Sequence, residues 1–250
     1  NEGFQINNSL VSSSKLLKLM DKVMPAIEQV AKESPFGKPS YFEAKVALAF
    51  LLFAEEKVDI AIIEVGLGGR LDATNVLNSK VAVLTNVGLD HTAILGNTIE
   101  KIITDKAGII KPNQIVISGV TQPSAKKIVA DKAQKTGAKL LQYNQDFQII
   151  PNLEIGMLGD FQQVNAACAV EAVQAFSNQK VTDQQIKTGI EKAKIPGRME
   201  IIQENPLVIL DGAHNQDKMT ALVTSLKKKY PDKKWLTVVA FKEDKDADEM

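Results

Sequence analysis

With Cys168 as its single cysteine, the chain cannot close a disulfide on itself. The disulfide frameworks of small secreted proteins are excluded, and a reducing cytoplasm is the expected compartment. Cys168 lies in the run Ala166-Ala167-Cys168-Ala169, where it reads as a small buried side chain rather than a nucleophile. An excess of either charge is missing too. Lys plus Arg and Asp plus Glu stand at 30 each, leaving no overall field to draw the protein to nucleic acid or an anionic membrane. No apolar run approaches the roughly 20 residues that span a bilayer, and the N-terminal region lacks the basic-then-apolar order of a signal peptide. Internal repeats and low-complexity tracts are absent, as is any G-x-x-x-x-G-K-S/T phosphate loop within these residues. The chain starts at Asn1 and stops at Met250 inside an acidic run, so its natural ends are expected to lie outside it.

What is present is ordinary globular composition, 44% hydrophobic and 24% charged over 250 residues, enough for one large or two ordinary domains. The organising stretch is Val58 to Val76. Its Ile- and Val-rich start suits a strand buried on both faces of a parallel sheet, which delivers Glu64 to the strand's carboxyl end, where open α/β sheets bind ligands. Gly66, Gly68 and Gly69 let the backbone turn sharply, with Arg70 and Asp72 just beyond. The alternative is a glycine-rich connection with solvated charges.

Along the chain, Leu16, Leu19, Val23, Ile27 and Val30 mark one face of a helix over 10–31 that contains Pro25. Ser40 and Glu43 have capping-box spacing and open a helix with Phe42, Val46, Ala49, Phe50 and Phe53 as its buried face. Strands are expected at 58–65, 80–87, 114–118 and 139–143, with helices at 98–110 and 124–136. That alternation predicts an α/β fold with a doubly wound, mostly parallel sheet. Short strand-like pieces over 147–158 precede an alanine-rich helix to about Phe176 and another capped by Thr182 with Gln185. After the break at Pro196-Gly197 come strands at 199–203, 207–210 and 235–241 around a helix that ends near Tyr230. The expected organisation is a domain over 1–196 and the start of a second α/β domain over 197–250, too short to close a core of its own.

Both histidines follow a predicted strand end and sit near an aspartate, His91 in Gly88-Leu89-Asp90-His91-Thr92 and His214 in Asp211-Gly212-Ala213-His214-Asn215. If Glu64 and His91 end neighbouring strands, they can share one hard cation completed by water; the alternative for His91 is a hydrogen-bonded loop histidine. Lys106, Asn165 and Arg198 read by default as surface residues, although Arg198 follows the Pro-Gly break and suits phosphate.

Taken together, these stretches resemble the folylpolyglutamate synthase and dihydrofolate synthase family of the Mur-ligase group. The matching segments are Asn1-Glu2 with Ile6-Asn7, Tyr41 to Ala44, Glu64 to Asn75, Gly88 to Thr92, Leu95 to Thr98, Lys106 to Lys111, Gly159 to Asn165, Pro196 to Arg198 and Asp211 to Asn215. Gly3, Phe161 and Gln216 depart from the family's usual residues. The resemblance implies an ATP-dependent ligase that phosphorylates a carboxylate and joins it to L-glutamate. It implies Glu64 and His91 as magnesium ligands and Lys106 as a carbamylated lysine, its cation turned into an anion. Asn165, Arg198 and Asp211 are implied as ATP contacts and His214 as a catalytic residue near the γ-phosphate and glutamate. Ser40, Tyr41, Phe42 and Glu43 with Leu71, Asp72 and Ala73 are implied as the pterin or folate site, serving dihydropteroate or tetrahydrofolate. The protein implied is a cytoplasmic monomer without nucleic-acid or membrane partners. Its phosphate loop is placed upstream of Asn1 and the rest of its second domain beyond Met250, so residues 1–250 alone are expected to be inactive. The alternatives are another Mur-type ligase of cell-wall synthesis, or an inactive binding module if the chain is complete.

Overall fold

A computed structural model describes residues 3–7 and 9–240. Asn1-Glu2 of the matching segments and Phe241 of the expected last strand lie outside them. The chain divides into two compact units, Asn1–Leu77 and Asn78–Met250, so the boundary expected at 196/197 falls inside the second unit.

In the first unit, the short strands β1 (Gln5–Ile6) and β2 (Ser9–Leu10) pair antiparallel. Ser12 then caps helix α1 (Ser13–Glu33), which runs unbroken through Pro25. Ser40 opens α2 (Tyr41–Glu56) with the expected capping box: its hydroxyl oxygen accepts from the Glu43 N–H, and its own N–H donates to the Glu43 carboxylate. Leu19 and Ile27 of α1 and Leu52 of α2 are buried, whereas Phe42, expected on the core face, is 43% exposed. The strand expected at 58–65 does not form. The segment is irregular and joins no sheet among the described residues, and Ile62 is 93% exposed. An unbroken apolar run asks for cover on both faces but does not name the neighbours that supply the ladder. Glu64 is therefore exposed on irregular backbone, and the adjacent-strand geometry expected for Glu64 and His91 is absent.

The second unit is built on β3 (Val81–Leu84), β4 (Ile115–Ser118) and β5 (Lys139–Gln142), parallel and side by side in chain order. The short α3 (Thr92–Leu95) and α4 (Ile99–Lys106) connect β3 to β4, and α5 (Pro123–Thr136) connects β4 to β5. Period-two alternation explains the Ile-Val-Ile run of β4. Val116 packs with Ile102, Ile103 and Val129 from α4 and α5, while Ile117 packs with Phe147, Ala167 and Cys168 on the other face. The last two belong to α6 (Phe161–Ser177). Helices thus cover both faces, which is the doubly wound arrangement expected. Each such fully buried aliphatic side chain contributes about 1.5–3 kcal/mol.

The segment 147–158, expected to hold short strands, has only an isolated bridge between Tyr143 and Phe147. Thr182 caps α7 (Asp183–Lys192) with the expected box to Gln185. Beyond it β6 (Glu200–Glu204) and β7 (Leu207–Leu210) form an antiparallel hairpin, and α8 (Gln216–Lys229) follows. Residues 235–240 are irregular rather than strand; an apolar stretch without a ladder partner has nothing to hold it extended. No helix of the described residues is long and apolar enough to cross a membrane.

At the end of β4, a Cβ on Gly119 would lie 2.4 Å from the Thr85 carbonyl oxygen and 2.7 Å from Cys168 Sγ, so strand and helix meet closely there. Burial, with a smaller contribution from the Glu171 charge, pushes the Cys168 thiol up to about 11. Because the thiolate is the reactive form, a disulfide reagent should label native Cys168 at least about 100-fold more slowly than the denatured chain at pH 8. Equal rates would show that the face of the sheet under α6 is open.

Candidate functional site

In the first unit the glycine-rich turn closes on Asp72. One carboxylate oxygen accepts from the backbone N–H of Gly66 at 3.0 Å and Leu67 at 2.9 Å, and the other from the N–H of Thr74 at 2.9 Å and its hydroxyl at 2.6 Å. Burial alone would raise this carboxyl. The Thr74 hydroxyl and the backbone N–H groups of Leu67, Thr74 and Gly66 outweigh it and hold Asp72 below the usual carboxylate range. Asp72 also caps the 3₁₀ turn Ala73–Val76. Its carboxylate, predicted for a ligand, thus shapes the loop itself.

Phe42 lies across Gly66, where a Cβ would meet the ring tip at 2.5 Å; a bare glycine backbone is what admits the ring. Tyr41 is 83% and Leu71 81% exposed, and Tyr41 borders an apolar groove of about 160 Å³ together with Phe4, Met20, Met24 and Ala44. Glu43 and Ser40 serve the capping box, and the Ser40 hydroxyl and N–H lower the Glu43 carboxyl. The sequence-predicted pterin residues therefore share the first unit, with the polar groups of three of them, Ser40, Glu43 and Asp72, already committed to local structure.

In the second unit two strand-end loops converge. The loop after β3 carries Asp90 and His91; the loop after β7 carries Asp211 to Asn215 and leads into α8. Asn215 caps α8, its carbonyl oxygen accepting from the Lys218 N–H at 2.9 Å, while its amide donates to Asp90 Oδ2 at 2.8 Å across 125 residues of chain. The same Asp90 oxygen lies 3.8 Å from His214 Nε2 and 3.8 Å from Lys218 Nζ. Below this contact the Asp217 carboxylate fills the space where a Cβ on Gly88 would stand. At its other end α8 is tied by Lys228 to Asp160 at 2.7 Å. These ties place residues beyond 197 in the same compact unit as the parallel sheet.

His91 occupies the left-handed region, φ +51°, an uncommon conformation for any residue with a Cβ. Asp90 supports it by accepting the His91 N–H at 2.9 Å, and the His91 carbonyl accepts from Ile94 and Leu95. The imidazole is exposed. His214 is held differently. Its Nδ1 lies 2.8 Å from the Gly212 carbonyl oxygen, which can only accept, so Nδ1 carries the proton. The Nε2 of the neutral ring then accepts from Lys218 Nζ at 3.0 Å.

Asp211 accepts from the Met199 N–H and the Ala213 N–H, both at 2.7 Å. It clamps the Pro-Gly-Arg break to the exit of β7, where Arg198 lies over Gly212. Asn165 donates to Gln162 at 2.9 Å within α6. Lys106 is half-buried in the last turn of α4, on the same side as the buried Ile102 and Ile103, and not on the fully solvated face its default reading assigns. No cluster of three or more His, Cys, Asp or Glu side chains suited to a metal occurs among the described residues. Glu64, in the first unit, offers an exposed carboxylate and His91, in the second, an exposed imidazole, each a donor type that a hard cation completed by water can take. Sequence reasoning quoted Asp90 and Asn215 without roles and did not single out Lys218. Their only sequence signal is a helix-capping asparagine next to a predicted site histidine.

Two descriptions of known families match the chain: the Mur ligase middle domain over residues 13–173 and the Mur ligase glutamate ligase domain over 197–250. The folylpolyglutamate synthase of Lacticaseibacillus casei is 34% identical over 263 residues, covering 96% of this chain and 61% of that protein. The dihydrofolate synthase/folylpolyglutamate synthase of Bacillus subtilis is 32% identical over 269 residues, covering 98% and 62%. An FPGS–AMPPCP–folate complex superposes with a TM-score of 0.83 at 34% identity, over 90% of this chain and 61% of that one. Mycobacterium tuberculosis folylpolyglutamate synthase complexed with ADP and AMPPCP gives 0.84 at 27% identity, over 90% and 57%. The chain spans about three-fifths of the length of these curated relatives.

The Asp72 staple has a pH signature. Its folded pKa is lowered, so its contribution is fully present above the usual carboxylate value and is lost as pH falls through the folded one. In Asp72→Asn, the amides of Gly66, Leu67 and Thr74 should exchange with solvent about tenfold faster or more at neutral pH, for a loss of about 1.5–3 kcal/mol of charge-assisted bonding. The gap to wild type should narrow as pH falls below about 4. A gap that does not change with pH would show that the charge is not what closes the turn.

Proposed function

This chain belongs to the Mur ligase family, and we propose that it forms most of the catalytic part of a ligase that adds L-glutamate to dihydropteroate or to a folylpolyglutamate at the expense of ATP. The observation that supports this reading most is the meeting of the two strand-end loops through Asn215 and Asp90, which gathers His91, His214 and Lys218 at one place. In the proposed reaction the substrate carboxylate takes the γ-phosphoryl group of ATP and releases ADP. The amine of glutamate then attacks the acyl carbon; the C–N bond forms, the C–O bond to phosphate breaks, and phosphate leaves.

Glu64 and His91 would hold the magnesium ion, which neutralises phosphate charge when bound. Arg198 supplies a fixed cation to phosphate and Asn165 an amide to the adenine. Asp211 offers its remaining lone pairs to the ribose while keeping its loop closed. Lys106 reacts with carbon dioxide to give a carbamate and a released proton, so that an anion replaces an ammonium in the last turn of α4. Ser40, Tyr41, Phe42 and Glu43 with Leu71, Asp72 and Ala73 receive the pterin ring, through a π-face at the exposed aromatics and acceptors for its N–H groups. His214 acts beside the γ-phosphate and the incoming glutamate. The proposed division of labour is 1–196 for nucleotide and folate and 197–250 for the beginning of the glutamate-ligase domain. The protein works on small molecules, as a monomer, in the cytoplasm.

The test is phosphate release from ATP by the protein that carries this chain, dependent on both L-glutamate and a reduced pteroate or folate. Release that instead requires a cell-wall nucleotide would overturn the folate assignment. Lys106→Ala and Lys106→Arg should each lose about 100-fold or more in kcat with the fold intact by circular dichroism, since arginine keeps the charge and cannot form the carbamate. Near-normal turnover in Lys106→Arg would return Lys106 to a packing role.

A further inference from the structure

We propose that Asp90 and His214 form a receptor for a primary ammonium, and that Lys218 occupies it as this chain's own stand-in for the ammonium of the incoming amino acid. The identity of that amino acid rests on the ligase reading above; the receptor rests on geometry alone. Lys218 Nζ lies 3.0 Å from His214 Nε2 and 3.8 Å from Asp90 Oδ2. Both walls are fixed by other contacts. Asn215 holds the Asp90 carboxylate at 2.8 Å, and the Gly212 carbonyl holds the imidazole by Nδ1 at 2.8 Å, leaving Nε2 as an acceptor. An acceptor nitrogen beside a carboxylate is what a primary ammonium requires: one short hydrogen bond and one nearby opposite charge.

The occupant, unlike the walls, can leave. Lys218 sits in the first turn of α8 on a flexible four-carbon stem, with its side chain 43% exposed, and it regains rotamer freedom when it swings out. An amino acid whose ammonium replaces Nζ delivers one proton to His214 Nε2, and Asp90 faces the imidazolium so formed. The neutral amine keeps its lone pair, attacks the acyl carbon and loses a second N–H proton to water as phosphate departs. Lys218 therefore sets the apparent affinity for the amine: while it occupies the receptor, only the fraction of molecules with the site vacant can bind.

The chain has only two histidines, so ¹⁵N-histidine labelling reads the receptor directly, and His91→Gln assigns the two rings. Wild-type His214 should appear as the Nδ1–H tautomer. Methylammonium should shift the His214 Nε2 resonance saturably in Lys218→Met at about a fifth or less of the concentration wild type needs, while tetramethylammonium, which has no N–H to donate, shifts neither. Equal titrations in the two proteins, or an equal shift by tetramethylammonium, would overturn the receptor. In turnover by the protein that carries this chain, Lys218→Met should lower the KM for L-glutamate by about fivefold. A raised KM would overturn the proposal, because Lys218 would then hold a substrate carboxylate. If Lys218→Met does not fold, Lys218→Gln serves the same comparisons. Saturable methylammonium binding without glutamate-dependent turnover in wild type would sink the ligase reading and leave the receptor standing.

Discussion

The aim of α8 in the second unit depends on one hydrogen bond, that from the Asn215 amide to Asp90. Asn215 serves two masters: its carbonyl oxygen starts α8 and its amide anchors that start to the loop after β3. A helix end has N–H groups that its own chain leaves unsatisfied, and here the residue that satisfies one of them also chooses where the helix points. Once α8 is aimed, the other ties follow from it: Asp217 settles against Gly88, and Lys228 reaches Asp160. The exposed Lys228 pair adds little energy by itself. Its value is geometric, since a second tether on a rigid rod removes the rotation that one tether would allow.

Carboxylates in this protein are used repeatedly as staples for backbone. Asp72 gathers four donors within a few residues, Asp211 binds the N–H groups of Met199 and Ala213, and Asp90 holds the N–H of His91 with one oxygen and the amide of Asn215 with the other. A loop that must present functional side chains cannot use helix or ladder bonds to hold its shape, so half-buried acceptors with two oxygens do it instead. Residues that sequence patterns single out as ligands, Asp72 and Asp211, are therefore, in part, the residues that keep their own loops in place.

How much could be read from the sequence follows from which signals are local. The capping boxes at Ser40 and Thr182 are four-residue patterns, and both formed as expected. The strands at 81–84, 115–118 and 139–142 were legible because apolar runs punctuated by helical periodicity leave few other folds. The run at 58–65 carries the same local signal and still is not a strand, because a ladder needs a neighbour and the neighbour is not written in the run. The same reason accounts for 235–240. The site was half visible. His91 and His214 stood out as the two histidines after strand ends, whereas the partnership of Asp90 with Asn215 spans 125 residues and leaves no local trace. Nothing in the sequence sets Lys218 apart from any other lysine in the first turn of a helix; only the placement of the Asp90 loop gives it a second meaning.

Under the role proposed for His91 in holding magnesium, its left-handed backbone sets stability and chemistry against each other at a single codon. Glycine adopts φ near +51° without the penalty a Cβ brings, so that exchange would relax the loop after β3, and it would delete the imidazole in the same step. A population selected for heat resistance alone would be drawn towards that exchange, and one selected for turnover would be held away from it.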